Sequence, residues 1–532
     1  MEATDDAGQS SRYSLTEAAF LVAAVVAFLA FTLPNLGNYP PPTDDEIWIL
    51  SSADKLANHG VFGTDLFAGF WHAESYYLWN MPLHHIVLAG VFKVFGTSIF
   101  AARSVSVLYG AVTILLVYAL GRRLGGVWVA ALSVVLLLFL RLHIGFEDGL
   151  PLQETARSIR YDLAAVPFMV GGCLLLLKPT TVRVALAGAT LALGTLMQFF
   201  GFFMLPILAV YLLLERAPLK LRLRLIGIAA IASILVAVPY GVYVLSHYDD
   251  FQGQTSTLYR RTNLDDPTLY LDNLKREYKR YRLHFESLST VLHKPSAKVG
   301  WLFAFPVSLV YMGWRTRRFN RRADRIVFLS LAGLPLEFTL LDFQKVSYYL
   351  IGIFPFLCIA IAMTGWAAIE WLRPYLRRPL GAGPLRLAAA GLTAVLLLGF
   401  MADGAWGQFQ GLRDSGNATN YMSLRPFFRQ YIPAHSKVLG STQLWWAMPD
   451  TDFRSYYMLY YRTNPLTTDR VTNTAGYLDE FGAQYVVLDS VSRLFLRPVN
   501  PSLDAYLHAH GERILLTYDK SFRQIEIWKI NR

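Results

Sequence analysis

The chain has 532 residues, of which 54% are hydrophobic and only 16% are charged, and its mean hydropathy is +0.34. Soluble domains carry about 25% charged residues, so this composition excludes an ordinary soluble enzyme and predicts a membrane protein. The formal net charge is +11. Because the basic residues stand beside apolar runs, we interpret them as contacts to membrane lipids and not as a nucleic-acid-binding surface.

The polar N-terminal stretch, residues 1–17, is predicted to be a cytoplasmic tail. The apolar run after it has no small-residue cleavage site, so we predict a retained first span and not a removed signal peptide. Cys173 and Cys358 both lie inside apolar runs. They are predicted to be packing residues, and they cannot crosslink an exterior domain.

A membrane-spanning helix needs about 20 mostly apolar residues. Eleven runs between residues 18 and 404 reach or approach that length, which predicts a polytopic α-helical membrane protein of about 11 spans. Residues 82–95 are also apolar but short, and we predict a juxtamembrane helix there. The eleven runs are 18–36, 99–121, 126–143, 163–178, 184–201, 202–215, 225–246, 298–314, 326–341, 347–371 and 387–403.

Basic residues cluster in alternate connections between these runs, at 122–123, 178–183, 216–224, 315–325 and 373–386. Basic residues stay on the cytoplasmic side of a multi-span protein. The pattern therefore predicts a multi-pass protein of the plasma (inner) membrane with its N-terminus inside. The loops that carry the carboxylates are then outside, and they are residues 37–98, 144–162 and 247–297.

After residue 404 the apolar runs give way to short β-rich segments mixed with charge. Residues 405–532 are therefore predicted to form an extracytoplasmic α/β domain. A hairpin connection is predicted at residues 519–522. The predicted strands are 437–440, 484–489, 513–518 and 524–529, and the predicted helices are 424–431 and 474–481.

Three consecutive carboxylates, Asp44, Asp45 and Glu46, stand just after the first predicted span. Adjacent carboxylates raise one another's pKa values unless a cation or a proton offsets the charge. Such a group suits a general base or a divalent-metal site. The same residues also suit the start of a helix over 47–57, because Thr43 can cap it and acids favour a helix N-terminus. Both interpretations stay open on the triplet alone.

A second acid, Asp162, stands at the outer boundary of the predicted span 163–178. Ionisable groups at the edge of a bilayer are costly and are often functional. We therefore predict that Asp45 and Asp162 meet in one paired-carboxylate site on the outer face, where Arg157 or Arg160 would neutralise a phosphate. The alternative is that these arginines only mark the end of a span by snorkelling to the interface.

Several short motifs occur in a characteristic order at the predicted outer boundaries. They are Asp45-Glu46-Ile47-Trp48, Met81-Pro82-Leu83-His84-His85, residues 95–103, Arg160-Tyr161-Asp162, and Lys345-Val346-Ser347-Tyr348-Tyr349 followed by Phe354-Pro355. This order resembles that of the membrane glycosyltransferases that use polyprenyl-phosphate sugars. These enzymes include the protein O-mannosyltransferases and the lipid A aminoarabinose transferases, which share the class C (GT-C) fold. The resemblance covers about residues 15–370.

The resemblance implies an inverting transfer of a sugar from a polyprenyl-phosphate donor to a hydroxyl acceptor. Asp45 would be the base that takes the acceptor's proton, with Glu46 or Asp44 as its neighbour. Asp162 would position the acceptor, or would hold a divalent ion (Mg, Mn or Ca) together with Asp45.

The resemblance also implies a phosphate-binding side of the site. Arg160 and Lys345 would bind the lipid phosphate, a task that suits cations at an interface. Tyr349 belongs to the late Lys-x-x-x-Tyr motif and is predicted to contact the substrate.

Two positions depart from the family pattern. The aminoarabinose enzymes carry Lys-Pro-Pro-Leu where this chain has Asn80-Met81-Pro82-Leu83, and a second basic position corresponds here to Gln198. Contacts to the donor must therefore differ. His85, beside His84, is the predicted substitute ligand, and a structural role for this pair stays open.

Three functions follow as hypotheses. The first is a glycosyltransferase with a lipid or surface-polysaccharide acceptor, and the second is a protein O-mannosyltransferase. The third is a flippase for lipid-linked sugars without bond chemistry. A flippase needs polar groups along a path through the membrane, whereas the acids here are predicted to cluster at one face.

Overall fold

The computed structural model describes residues 13–144, 147–149, 151–256, 266–281, 300–376, 384–464, 467 and 471–531. Most of the predicted tail 1–17 and parts of the predicted outer loop 247–297 lie outside the described residues. The prediction of a polytopic helical protein with a C-terminal α/β region is confirmed.

The first helices are α1 (Leu15–Thr32), α2 (Asp44–His59), α3 (Pro82–Phe95) and α4 (Ile99–Phe139). Helix α4 contains a break, because Gly125 and Gly126 have non-helical torsions and Gly126 has a φ of 80°. Glycine adopts positive φ without a steric penalty, so the chain can turn here between two spans. The break separates the predicted runs 99–121 and 126–143.

The middle of the chain is a series of packed helices. They are α5 (Pro151–Ala156), α6 (Tyr161–Leu176), α7 (Thr181–Met197), α8 (Met204–Leu213), α9 (Leu219–Ser246), α10 (Tyr248–Thr255) and α11 (Pro267–Arg276). A short hairpin of β1 (Leu142–Ile144) and β2 (Glu147–Gly149) precedes α5 and was not predicted. Helices α7 and α9 pack closely at Gly188, where an added Cβ would lie 2.4 Å from the carbonyl oxygen of Ala229.

Four further apolar helices follow, namely α12 (Gly300–Phe319), α13 (Arg322–Leu341), α14 (Phe354–Leu376) and α15 (Pro384–Gly416). Each of the eleven predicted apolar runs thus corresponds to helical structure, and α3 has the predicted bounds. Among the described residues, four helices are by themselves long and apolar enough to cross a membrane. They are Leu15–Thr32, Ile99–Phe139, Leu219–Ser246 and the Phe354–Trp371 part of α14.

The C-terminal region contains a five-stranded mixed sheet. Its strands are β3 (Lys437–Gly440), β4 (Asp452–Ser455), β5 (Tyr485–Asp489), β6 (Gly511–Asp519) and β7 (Arg523–Ile530), in the order β4-β3-β5-β7-β6. The first three strands are parallel, and β7 pairs antiparallel with both β5 and β6. The four predicted strands and the hairpin are confirmed, whereas β4 was not predicted.

Five short helices accompany this sheet, namely α16 (Leu424–Arg429), α17 (Tyr457–Thr463), α18 (Thr474–Phe481), α19 (Ser490–Val499) and α20 (Ser502–His510). The predicted domain boundary between residues 404 and 405 falls inside α15, which continues to Gly416. The membrane region and the sheet region are therefore joined by one continuous helix.

Candidate active site

Asp45, Arg160 and Asp162 lie together where helices α2 and α6 begin. Arg160 donates from Nη1 to Oδ2 of Asp45 and from Nε to Oδ2 of Asp162, and both distances are 2.7 Å. The side chain of Asp162 is 2% exposed, whereas that of Asp45 is 44% exposed. The predicted juxtaposition of Asp45 and Asp162 is therefore observed, with Arg160 between them.

Local sequence explains why both carboxylates stand at helix starts. Thr43 caps α2, because its hydroxyl accepts from the Glu46 N–H at 3.4 Å while Glu46 Oε1 accepts from the Thr43 N–H at 3.2 Å. Asp45 therefore sits in the first turn of α2, and Asp162 sits in the first turn of α6. The helix dipole favours a negative charge at both positions.

The chain around Arg160 keeps the guanidinium charged and oriented. Burial alone would lower the pKa of Arg160, but Asp162 and Asp45 outweigh it and raise the pKa well above its usual value. The guanidinium carbon also lies 4.4 Å from the centre of the Tyr348 ring, in cation–π geometry. Arg160 thus meets a carboxylate from each of two helices and the aromatic face of a third segment.

Gln198 fixes the other side of Asp162. Its Nε2 donates to Asp162 Oδ1 at 2.9 Å, and its Oε1 accepts from the Phe199 N–H at 2.7 Å, which orients the amide. The family pattern led us to expect a basic residue here. The structure instead places a neutral donor, so Asp162 is held without a second cation.

Glu46, predicted as a catalytic neighbour of Asp45, is fully buried. Arg103 donates from Nε to Oε2 at 2.9 Å and from Nη2 to Oε1 at 3.0 Å, and the Ile159 N–H also donates to Oε2 at 2.9 Å. Arg103 is itself fully buried and donates from Nη1 to the carbonyl of Leu36. These contacts explain Glu46 better as a residue that positions α2 against the segment before α6 than as a catalytic group.

Asp44 points to the C-terminal region. The Tyr456 hydroxyl donates to Asp44 Oδ2 at 2.8 Å. Burial raises the pKa of Asp44 to about 7, with the Tyr456 hydrogen bond opposing the shift and the nearby Asp489 carboxyl adding to it. Asp44 therefore joins α2 to the sheet region, and Asp45 is the carboxylate of the triplet that faces the open side of the site.

Lys345 and Tyr349, predicted to bind substrate, are both buried. Lys345 Nζ lies 2.7 Å from Glu277 Oε2 and donates to the Thr339 carbonyl at 2.7 Å. Burial lowers the pKa of Lys345, and Glu277 opposes this shift. Tyr349 packs against Phe200 with ring centres 4.3 Å apart. Lys345 would have to exchange Glu277 for a phosphate, so the structure does not present it as a ready phosphate ligand.

His85, the predicted substitute ligand, has no exposed surface. Its Nδ1 lies 2.6 Å from the Ser52 hydroxyl oxygen. The neighbouring His84 is also fully buried. The structure therefore favours the structural interpretation of this histidine pair and gives His85 no face with which to touch a substrate.

The donor set at Asp45 and Asp162 does not fit a divalent ion well. Asp162 already accepts from Arg160 and Gln198, and the Arg160 guanidinium occupies the position between the two carboxylates. Within the described residues, no group of three His, Cys, Asp or Glu side chains is arranged to hold a metal. Asp45 Oδ1 is the one oxygen of the pair with no hydrogen-bond partner among the described residues.

Sequence reasoning missed several residues of this site. In the sequence, Arg103 is only one residue of a longer motif, and Tyr348 is only the neighbour of Tyr349. Their partners are distant in the chain, so no local signal identifies them. Tyr456 had no signal either, because its contact depends on how the C-terminal region docks onto α2.

Comparison with known proteins gives one family match for part of the chain. Residues 80–243 match the sequence profile of the family described as dolichyl-phosphate-mannose-protein mannosyltransferase. A comparison with curated protein sequences gave no significant match.

Solved structures match almost the whole chain. ArnT from Cupriavidus metallidurans in the apo state aligns with a TM-score of 0.58 and 14% identity, over 96% of this chain and 98% of that chain. The same protein bound to undecaprenyl phosphate aligns with a TM-score of 0.57 and 14% identity, over 97% of this chain and 98% of that chain. A third structure is the oligosaccharyltransferase AglB from Archaeoglobus fulgidus in complex with an inhibitory peptide and a dolichol-phosphate. It aligns with a TM-score of 0.56 and 13% identity, over 96% of this chain and 74% of that chain. The chain therefore has the GT-C membrane fold that its motifs predicted.

Proposed function

We propose that this protein is an inverting glycosyltransferase that moves a sugar from a polyprenyl-phosphate donor to a hydroxyl acceptor at the outer face of the membrane. The observation that carries the proposal is the pairing of Asp45 with Asp162 through Arg160. Asp45 is half-exposed and has one carboxylate oxygen without a partner among the residues that the structure describes, whereas Asp162 is buried and both of its oxygens accept hydrogen bonds. Asp45 is thus available to a substrate, whereas Asp162 holds Arg160 in position.

In the proposed step, the hydroxyl oxygen of the acceptor attacks the anomeric carbon of the donor. At the same time, Asp45 Oδ1 accepts the proton of that hydroxyl. The bond between the anomeric carbon and the phosphate oxygen breaks, and its electron pair leaves with the polyprenyl phosphate. Protonation of Asp45 removes one of the two negative charges that face Arg160. The guanidinium is then less neutralised, so it can stabilise the charge that develops on the leaving phosphate. No step passes through a metal.

The structural neighbours support the donor class. One of them is bound to undecaprenyl phosphate and another to a dolichol-phosphate. A lipid or a surface polysaccharide is the acceptor that we favour. Protein O-mannosylation is the second candidate, because the profile that matches residues 80–243 is that of protein mannosyltransferases.

A flippase is the less favoured alternative. The paired acids lie together at the starts of α2 and α6, and they do not form a polar path along the spans. We also propose the orientation that the arginine pattern predicts, in the plasma (inner) membrane, with the N-terminus in the cytoplasm and the C-terminal region outside.

Mass spectrometry of cells that lack the protein tests the proposal. We expect one polyprenyl-phosphate sugar to accumulate and one glycan decoration at the surface to disappear. Purified protein should then release free polyprenyl phosphate in a one-to-one ratio with sugar transferred to the acceptor. Movement of the intact donor across vesicles without release of polyprenyl phosphate would instead identify a flippase.

A further inference from the structure

A cavity of about 600 Å³ lies between the first outer loop and the C-terminal region, away from the Asp45 site. The loop contributes Lys55, Asp65 and Glu74, and the C-terminal region contributes side chains from β4, α17 and α18. Small-molecule sites typically fall between about 300 and 1,000 Å³. The cavity is thus large enough for a ligand of a few sugar rings, and the proposed reaction does not use it.

The charges that line the cavity are balanced. Lys55 Nζ lies 2.5 Å from Asp65, and Arg462 Nη2 lies 3.1 Å from Glu480. The lining contains as many basic side chains as carboxylates, and they are Lys55, Arg454, Arg462, Asp65, Glu74 and Glu480. An anionic ligand would gain no net attraction from this set. A neutral ligand with many hydroxyls can both donate to the carboxylates and accept from the guanidinium groups.

One charged group in the lining is buried and incompletely satisfied. Arg462 is 6% exposed, and its Nε has no hydrogen-bond partner within the part of the chain that the structure describes, although its other nitrogens contact Gly69 and Glu480. A buried donor without a partner carries a free-energy cost. A ligand hydroxyl that draws the guanidinium toward the cavity would remove that cost.

Two aromatic rings are part of the wall. Tyr477 and Phe481 are stacked, with ring centres 6.4 Å apart and an interplanar angle of 14°. Arg454 lies 5.3 Å from the centre of the Phe481 ring. Flat apolar rings beside hydrogen-bonding side chains suit a pyranose, which has an apolar C–H face and a polar rim.

The cavity and the Asp45 site share two elements. Asp45 and Lys55 lie on α2 ten residues apart, which is about 15 Å along the helix axis. The segment 454–462 contributes Arg454 and Arg462 to the cavity, and its Tyr456 bonds to Asp44 beside Asp45. The separation between the two sites is therefore one that a chain molecule of a few sugar units could span.

We propose that this cavity is a binding subsite for a neutral oligosaccharide. This oligosaccharide would be the part of the acceptor chain that follows the unit with the reacting hydroxyl. The inference rests on the proposed function for its role, and it narrows the acceptor to a glycan several units long. A small lipid or a peptide acceptor would leave the cavity unused.

Binding of defined oligosaccharides to the purified full-length protein tests the subsite. The probes are neutral hexose and pentose oligosaccharides of increasing length, with uronic-acid oligosaccharides of matched length. We expect at least one neutral series to bind, with affinity that rises with length. Phe481→Ala and the isosteric Glu74→Gln should each weaken binding about tenfold or more, whereas the exposed control Glu512→Gln should not.

The outcomes separate this inference from the proposed function. Asp45→Asn should reduce transfer by roughly 10²- to 10⁴-fold and leave oligosaccharide binding intact. If no neutral oligosaccharide binds, if only the uronates bind, or if both cavity variants bind as the unaltered protein does, the subsite is overturned. If the cavity variants weaken oligosaccharide binding while the unaltered protein moves intact donor without releasing polyprenyl phosphate, the proposed function fails and the subsite stands.

Discussion

Asp45 differs from its two acidic neighbours in what its carboxylate is free to do. Glu46 is saturated by Arg103 and a backbone N–H, and Asp44 is bonded to Tyr456. The side chain of Asp45 is 44% exposed and has an oxygen with no partner among the described residues, whereas the unpartnered Oδ1 of Asp44 is buried. Three consecutive acids thus have three different environments, and only one of these suits proton transfer.

Replacing Asp45 by Asn should reduce sugar transfer by roughly 10²- to 10⁴-fold, because a positioned general base contributes about that much. The amide keeps the size of the carboxylate but cannot take the acceptor's proton. Initial rates of donor-dependent transfer by purified protein measure the effect. The exposed acid Asp249, also in a predicted outer loop, gives the matched control Asp249→Asn, which should transfer at the native rate. A native rate for Asp45→Asn would refute the assigned base.

Glu46→Gln should act on stability instead. It leaves the charge of Arg103 buried without a carboxylate, and breaking a buried ion pair costs about 3–5 kcal/mol. We expect a clear fall in the thermal unfolding midpoint of the protein in detergent, while Asp45→Asn should unfold near the native midpoint. Equal midpoints for Glu46→Gln and the unaltered protein would contradict the structural role assigned to this pair.

Chelation of divalent ions should leave the transfer rate unchanged, because Arg160 already stands between the two aspartates. Rates with and without a chelator, measured on metal-depleted protein, check this expectation. Loss of activity that Mg²⁺, Mn²⁺ or Ca²⁺ restores would show that a cation enters the site and that Arg160 moves away from it.

At the scale of elements, the contact between α2 and the C-terminal region depends on Asp44, a partly buried acid. Tyr456 donates to Asp44, and the rings of Trp48 and Tyr457 meet edge to face with centres 5.1 Å apart. The carboxyl of Asp489 lies close enough to Asp44 to raise its pKa further. Since two acids approach each other at this contact, its strength should depend on pH.

The folded protein should lose stability as the pH rises from about 4 to about 7. The pKa of Asp44 is raised from 3.8 in the unfolded chain to about 7 in the folded protein. The contribution of Asp44 to the free energy of unfolding is therefore complete below pH 3.8 and is lost as the pH rises through about 7. The loss is about 4 kcal/mol at most. Unfolding midpoints measured across this pH range should show the trend, and Asp44→Asn, which can still accept from Tyr456, should flatten it. An equally steep trend in Asp44→Asn would assign the effect to another group.

Local sequence patterns predicted the elements well and the contacts between them only partly. Long apolar runs and the alternating segments around residues 513–529 specify helices and a hairpin by themselves. Strand β4 has only four residues, Asp452–Ser455, and its pairing with β3 depends on the rest of the sheet. Likewise, the meeting of Asp45 with Asp162 could be predicted from two outer boundaries, whereas the Arg103 partner of Glu46 required the folded chain.

At the scale of the whole molecule, the proposed reaction requires the C-terminal region and the Asp45 site to be on the same side of the membrane. The hydrogen bond from Tyr456 to Asp44 places them together. The basic ends of α12 and α13 would then lie on the opposite, cytoplasmic side.

Labelling of single cysteines in intact cells tests this orientation. With Cys173 and Cys358 replaced by Ser, Lys520→Cys in the exposed β6–β7 connection should react with a membrane-impermeant maleimide. Arg318→Cys, on an exposed position of the predicted cytoplasmic connection, should react only after the membrane is permeabilised. The reverse pattern would invert the orientation that the arginine distribution predicts.

The packing of helix α15 determines where a fragment that contains the C-terminal sheet can begin. An added Cβ at Gly404 would lie 2.3 Å from the Phe139 carbonyl oxygen, and one at Gly407 would lie 2.8 Å from Arg141 Nε. The part of α15 beyond residue 404 is therefore seated against the end of α4 and is not a linker. A water-soluble fragment for studying the sheet in isolation should start after Gly416. A fragment that starts at residue 405 would retain the last part of α15 without the end of α4, against which it packs.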